Sequence, residues 1–390
     1  MEEFNASSEE ERQVDIRSLF LGAIRLTLET LLEEEIRRIV GAGKWIRTGA
    51  RKSHRNGSYF RELLTSMGLI ELQIPRSRVD GSAGRILGRY KRRTQEIDDA
   101  IVEAYVNGVS TRKMENVTGA LMGEGVSPST VSRVTKVLDE KVEELRLSPV
   151  PEEMAYLYLD ASFLDARWAR RVENVSALLA YGVGLEGKRK LLAITIGPRE
   201  SEESWADLLK QLMNRGLQRV RLVIADDHAG LVAAVKHLLP ETPLQRCTVH
   251  LERNILDKTP HRLRKRIGRE LRGIFQAASF SEARSRMEAF KHDFSKQLPE
   301  AVECLESGFK AATQFFAFPK EHWRKIRTTN GVERLHVEVK RRIRVAGAFP
   351  DRASALRLIT AVLLHVTEIW DDRQYLDVSL LRKEEKKEAA

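Results

Sequence analysis

The chain has 390 residues, 42% apolar and 31% charged, which calls for more than one domain of about 100–200 residues and excludes wholesale disorder. Lys and Arg number 66 against 56 Asp and Glu, a formal net charge of +10, and this balance favours a polyanionic partner, above all nucleic acid. Two distant cysteines, Cys247 and Cys304, make no disulfide scaffold and point to a reducing cytoplasm, the acidic N-terminus lacks a signal-peptide core, and no apolar run approaches the roughly 20 residues of a membrane span.

From Ile16 to Ile39, apolar residues recur at near-helical spacing, and Gly41 and Gly43 close that helix. A basic stretch follows, KWIRTGARKSHRNGSYFR, then a short alternating strand over 69–74, then PRSR. Residues 95–147 read as a small helical module. Ser110-Thr111 caps its second helix, and Ser127 or Ser129 caps a third that runs through Val131, Val134 and Leu138 after the turn GEGVSPST. Helix, Gly-containing turn and capped helix is the helix-turn-helix outline, and it turns Thr130, Ser132, Arg133 and Lys136 outward. A plain three-helix packing module has the same outline.

After the linker SPVPEE the texture becomes α/β. Strands are expected at 154–160, 174–185 and 190–197, a helix at 202–215, a strand at 219–226, a helix at 228–239 and a fifth strand at 244–250. Three antiparallel strands followed by βα units is the layout of a ribonuclease H-like core. Residues 251–327 read as helical and charge-rich throughout, and 328–344 and 352–370 as two further helices.

Asp160 and Asp226 close the first and fourth strands, where a rigid sheet holds side chains beside solvent. In that topology the two strands are neighbours, so the carboxylates would face and repel each other, and a divalent cation would relieve the repulsion. Glu333, in the first turn of the helix opened by Thr329-Asn330-Gly331, is the natural third acid, with Lys340 and Arg344 on its face; spacing alone leaves Glu338 as a competitor. Three hard oxygen ligands suit two Mg²⁺ ions, with Mn²⁺ as an acceptable substitute, in an in-line displacement at phosphorus. Cys247 and His250 form a CxxH that lacks nearby partners for a closed zinc site. The basic stretches 44–61, 85–93, 261–272 and 340–344 are expected phosphate-contact surfaces; Trp45, Tyr59, Tyr90 and Trp323 lie among them.

Several segments in order, RNGSYFRELLTSMGLIELQIPRSR (55–78), SPSTVSRVT (127–135), LDASFLDAR (159–167), ESEESWADLLKQLMNRGL (200–217), VIADDHAGLVAAVKHLLP (223–240), QRCTVHLERN (245–254) and TTNGVERLHVEVKRRIRVAGAFPD (328–351), resemble the motifs of Mutator-type bacterial insertion-sequence transposases, a group of DDE recombinases. The resemblance implies catalytic, metal-binding acids at Asp160, Asp226 and Glu333, choosing Asp226 over Asp227 and Glu333 over Glu338. It implies structural or positioning roles for Cys247, His250, Trp205 and Asn330. DNA contacts fall on Arg55, Asn56, Arg76, Arg78, Thr130, Ser132, Arg133, Lys136, Arg253, Arg334, Lys340, Arg341 and Arg344. Asp165 and Asp227 depart from the pattern, and Asp165 would add a carboxylate near the first acid.

The expected organisation is multidomain α and α/β: an N-terminal DNA-binding region (1–94) and a helix-turn-helix module (95–147), together a largely helical DNA-binding part, and a ribonuclease H-like core (153–250 and 328–380) interrupted by an all-helical insertion (251–327). The resemblance further implies binding to terminal inverted repeats and target DNA, cleavage and strand transfer through a circular intermediate, and a dimer or larger assembly on DNA in the cytoplasm, without a membrane. A catalytically silent DNA-binding regulator and a purely hydrolytic two-metal nuclease are the alternatives.

Overall fold

A computed structural model describes residues 16–78, 86–88, 91–168, 171–344, 349–370 and 372–381; Tyr90 and part of the basic stretch 85–93 lie outside them. The chain divides into two compact units, residues 1–136 and 137–390.

In the first unit, helix α1 (Ile16–Val40) ends at Gly41, whose φ of +74° strains any residue with a Cβ. The short strand expected over 69–74 is present and longer, and it pairs with a strand that was not expected. Strands β1 (Arg55–Thr65) and β2 (Gly68–Ser77) form an antiparallel hairpin in register from Thr65↔Gly68 to Arg55↔Ser77. Leu63, Ile70, Leu72 and Ile74 bury one face of it with Leu32 of α1. Three helices follow, α2 (Gln95–Val106), α3 (Thr111–Met122) and α4 (Pro128–Val134). Ser110 caps α3 by accepting from the Lys113 N–H, and Ser127 caps α4 by accepting from Thr130 N–H. The turn between them is tied by Thr118 Oγ1, which accepts from Val126 N–H at 2.8 Å. The third helix does not run on to Leu138 as expected: a 3-10 turn (Thr135–Val137) interrupts it, and α5 (Leu138–Leu147) belongs to the second unit.

The second unit is built on five strands, β3 (Glu153–Trp168), β4 (Arg171–Gly184), β5 (Arg189–Gly197), β6 (Arg219–Ala225) and β7 (Leu244–Arg246), in the spatial order β5-β4-β3-β6-β7. The β3–β4 and β4–β5 pairs are antiparallel, and β3–β6 and β6–β7 are parallel. Helices α6 (Glu202–Asn214) and α7 (Ala229–Leu238) cover one face. There Trp205, Leu208, Leu212, Leu231 and Val235 pack on Leu157, Leu159, Leu178 and Ala180. Each fully buried aliphatic side chain of this kind contributes about 1.5–3 kcal/mol.

Side chains alternate along β3, so Tyr156 and Tyr158 point to the other face. Five helices run through the stretch expected to be helical: α8 (Thr248–Asp257), α9 (His261–Phe275), α10 (Phe280–Phe294), α11 (Pro299–Ala312) and α12 (Lys320–Ile326). They have their own core around Leu251, Leu271, Phe275, Phe290, Leu305 and Phe309. Tyr156 Oη meets Nδ1 of His322 at 2.6 Å, which anchors α12 over the sheet. Helix α13 (Asn330–Ile343) and α14 (Arg352–Thr367) then return to β3. The segment Arg352–Trp370 is long and apolar enough to cross a membrane, a length the sequence reading had not credited, but 56% of it is buried inside the structure, where Leu358, Ile359, Val362 and Leu363 are core residues. Arg357 of α14 forms a two-pronged pair with Asp139 of α5 at 2.7 and 2.8 Å.

Candidate active site

Asp160 was expected at a strand end, yet β3 continues to Trp168 because β4 goes on pairing with it from Asp160↔Leu179 to Trp168↔Arg171. What ends before Asp160 is the pairing with β6, whose last rung is Tyr158↔Ile224. Continuing that register by two residues puts Asp226, the first residue after β6, opposite Asp160. The two acids therefore sit where two parallel strands, about 4.8 Å apart, part company. Asp160 is 6% exposed, and its Oδ1 accepts from Ala161 N–H. Asp226 Oδ1 accepts from His228 N–H at 3.3 Å, which starts the turn into α7. Burial, and then the charge of Asp160, holds the Asp226 carboxyl above the usual carboxylate range, against the His228 bond and the charges of His250 and His228.

Glu333 approaches from the first turn of α13. Its Oε1 lies 3.5 Å from Nε2 of His250. His250 does not end a strand, as expected; β7 stops at Arg246, and Cys247 precedes α8, so His250 lies in the first turn of that helix. Cys247, fully buried, accepts from the N–H and the hydroxyl of Thr329 at 3.4 and 3.3 Å. The CxxH thus ties the start of α8 to the start of α13 and fixes the direction from which Glu333 enters. Burial raises the Cys247 thiol, but the neighbouring His250 and the two Thr329 bonds outweigh it and leave the thiol below its ordinary value. His250 is pushed up to about 9, chiefly by the neighbouring Cys247 and, against burial, by the charges of Asp160 and Asp226.

Glu338, the competitor, faces elsewhere. Its Oε2 accepts from Arg341 at 3.1 Å and from the buried Arg342. Asp165 and Asp160 have opposite parity on β3, so Asp165 is on the opposite face of the strand, exposed and bonded to Asn174. It adds no charge to the site. Asp227 is drawn off by Arg246, Nη1 to Oδ2 2.8 Å.

Two residues at the site escaped the sequence reading. His336 lies 3.2 Å from Asp160 Oδ2; the signal was its i,i+3 spacing from Glu333, which puts both side chains on one helix face. Glu200 accepts from the indole N–H of the buried Trp205 at 2.9 Å and lies 3.2 Å from Nδ1 of His228. Burial holds Glu200 above the usual range, against the Trp205 bond and His228 and with help from Asp226 and Asp160. Trp205 therefore both fills the core and orients a fourth carboxylate.

The hard-oxygen donors and the repulsion between Asp160 and Asp226 fit a divalent cation such as Mg²⁺. Among the described residues, no three His, Cys, Asp or Glu side chains are already gathered as a metal site. The expected DNA contacts are spread over both units. Asn56, Arg76, Arg78, Ser132, Arg133, Lys136, Arg253, Arg334, Lys340, Arg341 and Arg344 are exposed, and Thr130 is half-buried; Asn330, expected to position the site, is exposed at the start of α13. Arg76 stacks on Tyr59 at 4.4 Å. Arg55 is engaged within the fold by Glu33 of α1, 2.6 Å away. Trp45 is 90% exposed, whereas Trp323 packs on Phe315 and Phe316.

Residues 1–373 match the family described as Transposase, Mutator family. The chain is 35% identical over 364 residues to the transposase for insertion sequence element ISRM5 of Rhizobium meliloti, covering 93% of this chain and 92% of that one. It is 36% identical to the IS406 transposase of Burkholderia multivorans, covering 89% and 90%, and 35% identical to the transposase of IS256 in Tn4001 of Staphylococcus aureus, with the same coverage. Among solved structures, the Drosophila P element transposase strand transfer complex aligns at 12% identity and a TM-score of 0.33, over 76% of this chain and 86% of that one. The chain belongs to the Mutator family of transposases, alongside the transposases of insertion sequence elements.

Proposed function

We propose that the protein is a DDE transposase that binds the terminal inverted repeats of its element, cuts a phosphodiester to free a 3′-hydroxyl, and joins that hydroxyl to a second phosphodiester. The carrying observation is the convergence of three acids from distant parts of the chain. Asp160 and Asp226 each lie two residues past the last rung between two parallel strands, and Glu333 approaches from the start of α13, which the Cys247–Thr329 and His250–Glu333 contacts hold. The strand order, three antiparallel strands continued by two parallel ones, supports the reading of a ribonuclease H-like core interrupted by helices α8 to α12.

Asp160, Asp226 and Glu333 would hold two Mg²⁺ ions. Bound there, the ions would activate the attacking oxygen and offset charge on the leaving one. The protein's own part is positioning. The sheet fixes Asp160 and Asp226, Trp205 and His228 fix Glu200 behind them, and His336 and His250 lie against the outer acids. The outward residues of α4, with Arg76 and Arg78 on the hairpin, would recognise the element's ends. A dimer or larger assembly would hold two ends at once, and joining would pass through a circular intermediate in the cytoplasm.

The test is a plasmid assay in cells, reading abutted element ends by PCR for wild type and Glu333→Gln at equal expression and equal binding to end DNA. Joined ends from wild type alone are expected. Binding without joined ends in either protein would favour a silent regulator. Cut but never joined ends would favour a nuclease, and equal products from both proteins would remove Glu333 from the chemistry.

A further inference from the structure

The sheet face that carries Asp160 also carries Tyr158, one pleat earlier on β3, whose ring stacks on Tyr181 of β4 with centroids 4.4 Å apart. Beside these rings lies a group of cations, of which the reading above gives a task to Arg334 alone. The guanidinium of Arg189, at the start of β5, lies 4.1 Å from the ring centroid of Trp370 and 4.5 Å from that of Tyr375. Lys325, at the end of α12, places Nζ 4.4 Å from the same Tyr375 ring. Arg334, next to Glu333 on α13, is close enough for its charge to act on both.

Among the described residues, no carboxylate is within ion-pair distance of Arg189, Lys325 or Arg334, and Nε of Arg189 is buried without a hydrogen-bond partner. Burial and the repulsion of Arg189, Arg324 and Arg334 hold Lys325 below its ordinary value. Ring stacking accounts for where Arg189 lies. It does not account for gathering two more cations around it, which costs energy unless an anion joins them. A guanidinium stacked on aromatic rings is already oriented, so its N–H fork loses little freedom on meeting a phosphate. Two residues of strand separate Tyr158 from Asp160, about 7 Å, so a strand held at the acids would run past this group.

We propose that Arg189, Lys325 and Arg334 form a binding site for a backbone phosphate of the DNA strand being processed, next to the acids and separate from the end-recognition surface of the first unit. The site rests on the transposase reading for the identity of its ligand. Its chemistry is that of a phosphodiester, read without regard to sequence.

The test is binding of a fluorescent duplex carrying one element end to the full-length protein, measured by anisotropy over a salt series without divalent ions. Wild type is compared with Lys325→Gln, which changes an exposed side chain, with Arg189→Gln, checked by thermal melt, and with Lys210→Gln on α6 as a remote control of equal charge loss. One lost phosphate contact makes the slope of log K against log salt shallower by about 0.9. That change is expected for Lys325→Gln and Arg189→Gln, and no change for Lys210→Gln. Equal slopes for Lys325→Gln and wild type, or an equal change in the Lys210 variant, would overturn the site. Because the readout needs no cutting, a protein that never joins DNA would sink the catalytic reading and leave this one standing if the slopes differ. A wild type that binds no duplex would overturn both.

Discussion

The approach of α13 to the sheet can be tested at one atom. Gly331 lies in the first turn of α13, and a Cβ there would stand 2.4 Å from the hydroxyl oxygen of Tyr181, with the ring carbon behind it at 3.4 Å. Non-bonded contacts settle near 3.5 Å, so Gly331→Ala must move the helix start or the ring by about 1 Å. Tyr181 is fully buried and stacked on Tyr158, which makes the helix the softer partner. Overpacking costs about 1–3 kcal/mol, and alanine returns up to about 1 kcal/mol of helix propensity, so the loss of stability should be small. Activity should suffer more, because Glu333 rides on the same turn and a displacement near 1 Å can cost about 100-fold in rate. Tyr181→Phe removes the clashing oxygen, and that oxygen has no hydrogen-bond partner to lose. The double variant should then regain most of the activity. The assay is single-turnover cleavage of end DNA beside a thermal melt for all four proteins. A Gly331→Ala enzyme within about threefold of wild type, or a double variant as slow as the single, would refute the claim that this contact sets the position of Glu333.

Glu338→Gln should keep joining activity but lose about 1–3 kcal/mol of stability in a thermal melt, toward the lower end because Glu338 is partly exposed, since it leaves the buried Arg342 without its carboxylate; Glu333→Gln should show the reverse pattern. Trp205→Phe should cost about 1–3 kcal/mol and also slow cleavage, because Glu200 loses the indole bond that orients it beside His228; unchanged cleavage would remove Glu200 from the site. Burial raises Glu252, against the pull of Arg272 and Arg327. The folded value lies above the unfolded one, so the proton's contribution to stability is full below the unfolded pKa and is lost as pH rises through the folded value. Glu252→Gln should therefore raise Tm at pH 7, with the gain shrinking toward pH 4, and a gain independent of pH would contradict the assignment.

Local signals drew attention to the candidate acids, the end of an apolar run for Asp160 and Asp226 and a helix opening for Glu333, while the choice of Asp226 over Asp227 and of Glu333 over Glu338 came from the resemblance. The errors have a common physical source, which is pairing with partners far along the chain. The apolar run ends at Asp160, but β4 continues to pair through Trp168, and only the register shows it. Strand β1 was missed because much of RNGSYFRELLT is polar and exposed, and only its end, Leu63–Thr65, is buried. The run LQRCTVH reads as strand by composition, while β6 lends β7 only three rungs before Cys247 turns into a helix. Nothing in RESEES sets Glu200 apart from Glu202 and Glu203; the Trp205 indole that donates to it does.

The path of the chain also orders the folding events. The sheet that places Asp160 and Asp226 is complete by Arg246, whereas Glu333 arrives only after α8 to α12 have built their own core. Bringing Glu333 back to Asp226 closes a long loop, at an entropic cost on the order of 4 kcal/mol, offset by late contacts such as Cys247 with Thr329 and His336 with Asp160. Domains emerge from synthesis N-terminal end first, so the elements of the first unit can fold before the third acid exists. Local unfolding of α13 alone would undo the acid cluster while leaving the sheet intact. Catalytic competence is thus the last property this chain gains as it folds and the first it gives up.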